Sequence, residues 1–151
     1  MTEPAIIIKE TIKELFQTMK LEAQVEIEQN QPDNLLVNIQ TEEAGFLIGQ
    51  EGGNLDAFQH LARVLAGKKY GQPVQFVVDI NNYRKHRIEL LKELAKNMAK
   101  QALMERVSLT LQPMSSYERR IIHLALAGES QISTKSIGQD SERRIVIKPI
   151  K

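Results

Sequence analysis

The sequence predicts an α+β protein made of two small domains, and three observations support this fold class. Apolar residues recur at helical spacing in some segments and alternate with polar residues in others, so both helices and strands are expected. Residues 1–80 carry 6 Lys/Arg and 12 Asp/Glu, whereas residues 81–151 carry the remaining 14 Lys/Arg and 7 Asp/Glu. No long linker or low-complexity tract separates these parts. We therefore expect one domain at 1–80 and a second at 81–151, which abut near Ile80.

The acidic first part shows the pattern helix, strand, strand, short helix, helix, strand. Pro4 stands where a first helical turn accepts proline, and apolar residues follow at helical spacing. Turn-forming residues at 30–34 separate the two strands of a hairpin. Thr41 with the two acids after it suits the start of the short helix, and Gly67 suits the end of the longer one. The expected bounds, in chain order, are 4–20, 23–28, 35–40, 44–48, 55–67 and 74–80.

The basic second part shows the pattern helix, strand, helix, strand, strand. Asn81 or Asn82 can cap a long first helix. Ser115, with Glu118 three residues later, forms a capping-box pattern that predicts the start of the second helix, and Gly128 suits its end. The expected strands are 107–111, 132–136 and 143–148, the last two joined by a turn at 138–140.

A glycine loop between the short helix and the next helix is the first candidate binding site. Glycine at both ends, Gly49 and Gly52, lets the backbone turn sharply and a ligand approach closely. Amide N–H groups at the start of the following helix lie at the positive end of its dipole, which suits a phosphate. The alternative is a helix–turn–helix corner that binds nothing. The candidate residues are Ile48, Gly49, Gln50, Glu51, Gly52, Gly53 and Asn54.

Three cations open the long helix of the second part, where the helix dipole disfavours positive charge. They are Arg84, Lys85 and Arg87. Because each misplaced charge costs a few tenths of a kcal/mol, contact with a polyanion is one explanation. The alternative is that solvated cations are simply tolerated at this helix end.

Arg119 and His123 lie four residues apart on the capped helix and so project from one face. A cation beside an imidazole can hold a phosphate, and histidine can also stack on a base. The alternative is a surface arginine beside a histidine packed at the edge of a sheet. Further candidates close in sequence are the cations Arg120, Arg143 and Arg144 and the aromatic residues Tyr83 and Tyr117.

Catalysis finds little support in the sequence. The chain has no cysteine, no paired-histidine metal spacing, no nucleophile elbow and no P-loop lysine. We expect no catalytic residue, metal or cofactor. We also expect no membrane span and no signal peptide, because no apolar run is long enough and the N-terminus lacks the pattern. A cytoplasmic location fits the absence of cysteine.

These motifs together resemble a known family. Residues 48–52 match the Ile-Gly-x-x-Gly signature, and residues 1–80 resemble a type II KH domain, which implies a three-stranded sheet with helices on one face. Residues 81–151 resemble the small domain named for an Arg-three-His motif, here Arg119 and His123. A KH domain followed directly by that domain resembles the Jag (SpoIIIJ-associated) family of bacterial RNA-binding proteins, and stretches 79–87, 114–126 and 142–147 also fit.

The resemblance implies a cytoplasmic post-transcriptional regulator linked to cell shape, envelope growth and division, with a small stand-alone KH protein as a possible partner. It implies that the loop clamps single-stranded RNA and that the basic residues hold phosphate. Two features depart from the family. The chain starts almost at the KH helix, so no role of the family's N-terminal Jag domain is carried over. The loop positions that are usually basic are Gln50 and Glu51, so we expect a weak KH contact.

The sequence therefore favours a single-stranded RNA-binding protein without enzymatic activity. The alternatives are a single-stranded DNA binder and a protein-interaction scaffold with an acidic KH domain; a nuclease ranks third. RNA target and oligomeric state do not follow from the sequence.

Overall fold

The structure, a computed structural model, describes residues 2–31 and 33–150. It contains two compact units that divide between Arg84 and Lys85, slightly later than the boundary we predict after Ile80. The α+β class and the order of a KH-like unit before a smaller mixed unit are confirmed. Pro32, within the turn predicted at 30–34, lies outside the described residues.

The first unit places helices on one face of a three-stranded sheet. Its strands lie in the order β1-β2-β3, with β1 antiparallel and β3 parallel to β2. Alternate residues of the strands join the helices in one core, in which the rings of Phe16 and Phe58 lie 5.6 Å apart between centroids. The elements are α1 Glu3–Met19, β1 Gln24–Gln31, β2 Asn34–Gln40, α2 Ala44–Ile48, α3 Gly53–Tyr70 and β3 Val77–Ile80.

The second unit packs helices against one face of a second three-stranded sheet, in which β6 lies between β4 and β5 and pairs antiparallel with both. Its core is formed by Leu91 and a row of alanines from the first helix, Ile122 and Leu126 from the second, and Ile145 and Ile147 from β6. The elements are α4 Tyr83–Glu105, β4 Leu109–Thr110, α5 Ser116–Leu126, β5 Ile132–Ile137 and β6 Arg144–Pro149.

The predicted cap of α5 is confirmed, because Ser115 Oγ accepts a hydrogen bond of 3.2 Å from the Glu118 amide. The helix ends at Leu126, before the predicted terminator Gly128. The strand predicted at 107–111 is shorter, Leu109–Thr110, although the amide of Leu111 still donates to Ile145 O at 2.9 Å.

The capping role predicted for Asn81 or Asn82 is wrong. Both residues have left-handed backbones, whereas an N-cap residue typically has an extended one. Asp79 Oδ1 instead accepts a hydrogen bond of 3.0 Å from the amide of Arg84. The Asn81 side chain is used elsewhere: its amide oxygen accepts from Thr41 N at 3.0 Å and its amide nitrogen donates to Thr41 O at 2.8 Å.

The predicted start and end of two helices in the first unit also differ from the structure. Thr41 does not cap α2, which begins at Ala44 without a side-chain cap; its hydroxyl accepts only from the nearby Glu43 amide. Gly67 does not end α3, which continues to Tyr70 and is closed by the left-handed Gly71. The amide of Gly71 donates to Gly67 O at 2.9 Å, so the second glycine supplies the terminating turn.

We expect opposite effects from alanine at these two glycines. Gly67→Ala should leave the free energy of unfolding unchanged or raise it by up to about 1 kcal/mol, since alanine favours helix and its Cβ would come no closer than 3.4 Å to Gln72 O. Gly71→Ala should lower it by about 1 kcal/mol, since φ is +89° there. Urea denaturation of both variants measures the difference, and equal effects would contradict the assigned helix end.

Candidate nucleic-acid interface

The glycine loop requires glycine at both ends for two separate reasons. Gly49 has φ +69° and ψ −171°, a region that is essentially restricted to glycine. A Cβ at Gly49 would lie 2.6 Å from Asn54 Cγ. Gly52 has φ +80°, and a Cβ there would lie 3.1 Å from the Tyr83 ring. The loop backbone is therefore held in a conformation that side chains at these positions would disrupt.

Side chains on both sides hold the loop in place. Asn54 Nδ2 donates to Phe46 O at 2.9 Å and so satisfies a carbonyl near the end of α2. Tyr83, predicted as a stacking surface, is half-buried with its ring against Gly52. Phe46, three residues before the loop, is 68% exposed and is not among the predicted site residues. An exposed aromatic ring beside a glycine loop is the signal that sequence reasoning missed, since such a ring can stack on a base.

The electrostatics of the loop are mixed. Gly53 begins α3, so the first amides of the helix lie beside the loop at the positive end of its dipole, and the amide of Gly53 itself donates to Gln50 O. The exposed side chains at the turn are Gln50 and Glu51, the latter with a left-handed backbone of φ +54°. A carboxylate at this position opposes an incoming phosphate. The loop can thus hold an anion through its backbone but not through a side-chain cation of its own.

The arginines at the start of α4 have partners within the protein. Arg84 donates to Val78 O at 2.8 Å and to Asp56 Oδ1 and Gln59 Oε1 at 3.2 Å, which links β3 to α3. Arg87 forms a two-pronged ion pair with the buried Glu118, at 2.8 and 3.2 Å. These internal contacts explain cations at a helix start without a polyanion. Lys85 is exposed.

Arg119 and His123 lie together on α5, as predicted. Arg119 Nη1 donates to Met114 O at 2.7 Å and remains partly exposed. His123 is held by two hydroxyls of the edge strand β5, with Nδ1 2.7 Å from Thr134 Oγ1 and Nε2 3.1 Å from Ser136 Oγ. Thr134 and Ser136 share a face because they are two residues apart on a strand. Histidine packed at a sheet edge is the geometry that the structural alternative predicts, and it also gathers two hydroxyls near a guanidinium.

The surroundings of His123 favour the neutral form of its ring. Burial lowers the pKa of His123 below its ordinary value of 6.5, and the positive charge of Arg119 lowers it further. Serine and threonine hydroxyls both donate and accept, so they can satisfy a neutral imidazole. The site therefore offers one fixed cation and several adaptable hydrogen-bond groups.

The other predicted groups do not all join this cluster. Tyr117, predicted as a stacking surface, is 63% exposed in the first turn of α5, and Arg120 is exposed on the same helix. Arg143 Nη1 donates to Gly138 O at 2.8 Å.

Arg144 lies on a different face of the second unit from His123. It pairs with the Glu142 carboxylate at 2.9 Å. In β6 it alternates with the buried Ile145 and so lies on the face of the sheet away from the core. Arg144 and the His123 cluster thus occupy opposite faces.

The lowered pKa of His123 predicts a pH dependence of stability. Below pH 6.5 the imidazole of His123 takes up a proton in the unfolded chain but not in the folded one. The free energy of unfolding therefore decreases as the pH is lowered, until the folded ring also becomes protonated. The free energy of unfolding of the wild type should therefore drop more than that of His123→Gln between about pH 7.5 and about pH 5. Urea denaturation of both proteins across that range measures the difference, in which shared carboxylate effects cancel. A difference that is constant with pH would contradict the assignment.

Comparison with known proteins finds two domain matches in this chain. Residues 6–80 match the KH domain of KhpA/KhpB, and residues 89–149 match the R-three-H domain, which is named for the Arg-three-His motif. Within the described residues no helix has the length and apolar character needed to cross a membrane.

Several relatives carry the name RNA-binding protein KhpB. That of Clostridium symbiosum is 34% identical over 139 residues, which is 91% of this chain and 63% of the relative. That of Bacillus subtilis is 40% identical over 112 residues, 73% of this chain and 54% of the relative. That of Lactiplantibacillus plantarum is 35% identical over 111 residues, 74% of this chain and 34% of the relative.

The chain thus spans between about one third and just under two thirds of the length of these relatives. Both domain matches occur in the predicted order and together cover most of the sequence. The chain belongs to the Jag family, in which a KH domain of the KhpA/KhpB type precedes an R-three-H domain.

Proposed function

We propose that this chain binds single-stranded RNA and that its second unit supplies most of the affinity for phosphate. The observation that carries the proposal is the cluster on α5 and β5. There the Arg119 guanidinium stands beside a histidine whose ring nitrogens contact Thr134 and Ser136. Guanidinium and hydroxyl groups are the donors that phosphate and sugar oxygens accept. The excess of Lys/Arg after Ile80 adds attraction to any polyanion.

The glycine loop makes a second, weaker contact. Its backbone amides at the start of α3 suit a phosphate, and Phe46 offers an exposed ring for a base. Glu51 reduces the affinity because it places a negative charge where the strand passes. In this proposal the KH unit therefore contributes less to the affinity for RNA than the second unit does.

Arg84 and Arg87, proposed from the sequence as phosphate contacts, act mainly as positioning residues in this proposal. Arg84 anchors the start of α3, which forms one side of the loop, and Arg87 satisfies the buried Glu118 of α5. Arg120 is exposed on α5 but, being next to Arg119 in sequence, projects from a different face of the helix, while Arg143 and Arg144 contribute charge near β6.

The choice of RNA rests on relatives that are named RNA-binding proteins. Single-stranded DNA is the alternative ligand, since only contacts to the 2′-hydroxyl distinguish the two. The biological role we propose is cytoplasmic, non-enzymatic regulation linked to envelope growth and division. A small stand-alone KH protein is the proposed partner, which accords with a KH match shared by KhpA and KhpB.

A protein-interaction scaffold is the second candidate function, and one feature favours it. The uncovered face of the first sheet carries the exposed carboxylates Glu26 and Glu28 on β1, and Glu28 accepts from the Asn38 amide at 2.8 Å. Such a surface repels nucleic acid and suits a basic protein.

The proposal predicts unequal effects of substitutions in the two units. Arg119→Gln/His123→Gln should weaken binding of a fluorescein-labelled single-stranded RNA at least about tenfold, since it removes a fixed cation and rearranges the hydroxyl cluster. Gly53→Asp adds a carboxylate to the loop where a Cβ meets no atom within 4 Å. It should weaken binding only a few-fold. Fluorescence anisotropy across a salt series measures both.

Lys92→Gln serves as the matched control, because it removes one charge from an exposed position on α4 of the same unit. If the control and the double variant lose the same RNA affinity, the effect comes from net charge alone and not from the Arg119 and His123 cluster. A larger loss for Gly53→Asp would contradict the ranking of the two units. A wild-type protein that binds no RNA at low salt would favour the scaffold.

A further inference from the structure

The second sheet has an open face whose side chains belong to neither predicted site, Arg144 excepted. Thr134 and Ser136 point toward α5, so the residues that alternate with them point the other way. On β6 the buried Ile145 and Ile147 face the core, and their neighbours face outward. The outward-facing residues are Ser133, Lys135 and Ile137 on β5, Arg144, Val146 and Lys148 on β6, and Thr110 on β4.

Three of these outward-facing residues are basic, and none of them is acidic. The register places Lys135 opposite Val146, with Lys148 and Arg144 as its diagonal neighbours on β6. Diagonal neighbours on a sheet are roughly 7–8 Å apart, so the three cations form a continuous basic row. Arg144 is paired with Glu142, whereas Lys135 and Lys148 are exposed. Between the cations lie the small or apolar side chains of Ile137, Val146 and Thr110.

The first unit has the same arrangement of a sheet covered by helices on one side, but its open face has the opposite charge. There the exposed ionic residues are Glu26 and Glu28, with amides beside them. The positive open face is therefore not a general property of such sheets. It is confined to the unit that also carries Arg119 and His123.

We propose that the open face of the second sheet is a further contact surface for the sugar-phosphate backbone of the nucleic acid. The inference rests on the proposed RNA binding and extends it to a surface on the other side of the sheet from His123. Charge complementarity selects the ligand: the outward-facing strand residues include three cations and no carboxylate, and although Glu142 beside the face pairs with Arg144, the face matches a polyanion. The face carries no aromatic residue, so its contribution is independent of base sequence.

The edge position of β5 makes the two surfaces continuous. Thr134 and Ser136 face α5, while Lys135 between them faces the opposite side of the same edge strand. A flexible single strand held at His123 needs only to cross this edge to reach Lys135. Lys148 then lies on the neighbouring strand.

The test compares Lys135→Gln/Lys148→Gln with Lys92→Gln/Lys96→Gln in the full chain. Both pairs remove two positive charges from exposed lysines of the second unit, and only the first pair lies on the open face. Anisotropy with labelled single-stranded RNA gives the slope of log K against log salt. The open-face variant should flatten this slope by about 1.4, since each neutralised phosphate of a single strand contributes about 0.7. The control should leave the slope close to that of the wild type.

Circular dichroism melting confirms that both variants are folded. If the two pairs have the same effect, or neither changes the slope, the inference is overturned while RNA binding by the wild type stands. If the wild type binds no RNA, the proposed function and this inference both fail. If sedimentation shows that the open-face variant loses self-association while RNA affinity is unchanged, the face binds an acidic protein surface and the inference is overturned.

Discussion

The phosphates of a single-stranded nucleic acid are held mainly by cations and backbone amides that face solvent, and this constraint separates the two halves of the chain. The first unit satisfies it with backbone amides at the start of α3 and opposes it with Glu51 and the carboxylates of β1. The second unit satisfies it with side-chain cations on both faces of its sheet. Interactions with phosphate supply a large part of the affinity of many nucleic-acid complexes, and this is why we propose that the basic unit carries the larger share.

The glycine loop shows how the same constraint is met without charge. Gly49 and Gly52 have positive φ angles, which would strain any residue with a side chain. Both also lie against side chains that fill the space of a Cβ. The consequence is a bare backbone held by Asn54 and Tyr83. Rigid amides lose little conformational entropy on binding. This small entropic cost compensates in part for the repulsion between the Glu51 carboxylate and a phosphate.

Features set by neighbours in sequence are predictable, whereas those set by distant partners are not. The Ser115 cap follows from an interaction three residues away, so the sequence pattern suffices. The partner of Arg87 lies 31 residues away in Glu118, and no local pattern reveals that this cation is already paired.

Two wrong assignments in the first unit have different origins. Asparagine is a residue type that often caps helices, but the side chain of Asn81 binds Thr41, forty residues earlier. The carboxylate of Asp79 instead accepts a hydrogen bond from the amide of Arg84 at the start of α4. Gly67 and Gly71 are equally plausible helix ends by spacing, because the pattern does not show which glycine has a positive φ.

The candidate site divides in the same way. The shared face of Arg119 and His123 follows from helical spacing, whereas the hydroxyl partners Thr134 and Ser136 depend on how β5 packs beside α5. The alternation of β5 contains a usable signal, since Lys135 must face away from its two neighbours. Grouping Arg144 with Arg119 by proximity in sequence conceals that they lie on different faces of the second unit.

The most direct test of the central claim, that the second unit is the main phosphate-binding surface, is an NMR titration of the ¹⁵N-labelled full chain with single-stranded RNA. Amide shifts at low and moderate salt report which residues meet the ligand first. The account predicts that resonances of α5 and β5 move at lower RNA concentration than those of residues 49–54, and that moderate salt suppresses the changes in both regions. Loop resonances that shift first, with α5 and β5 unchanged, would contradict it.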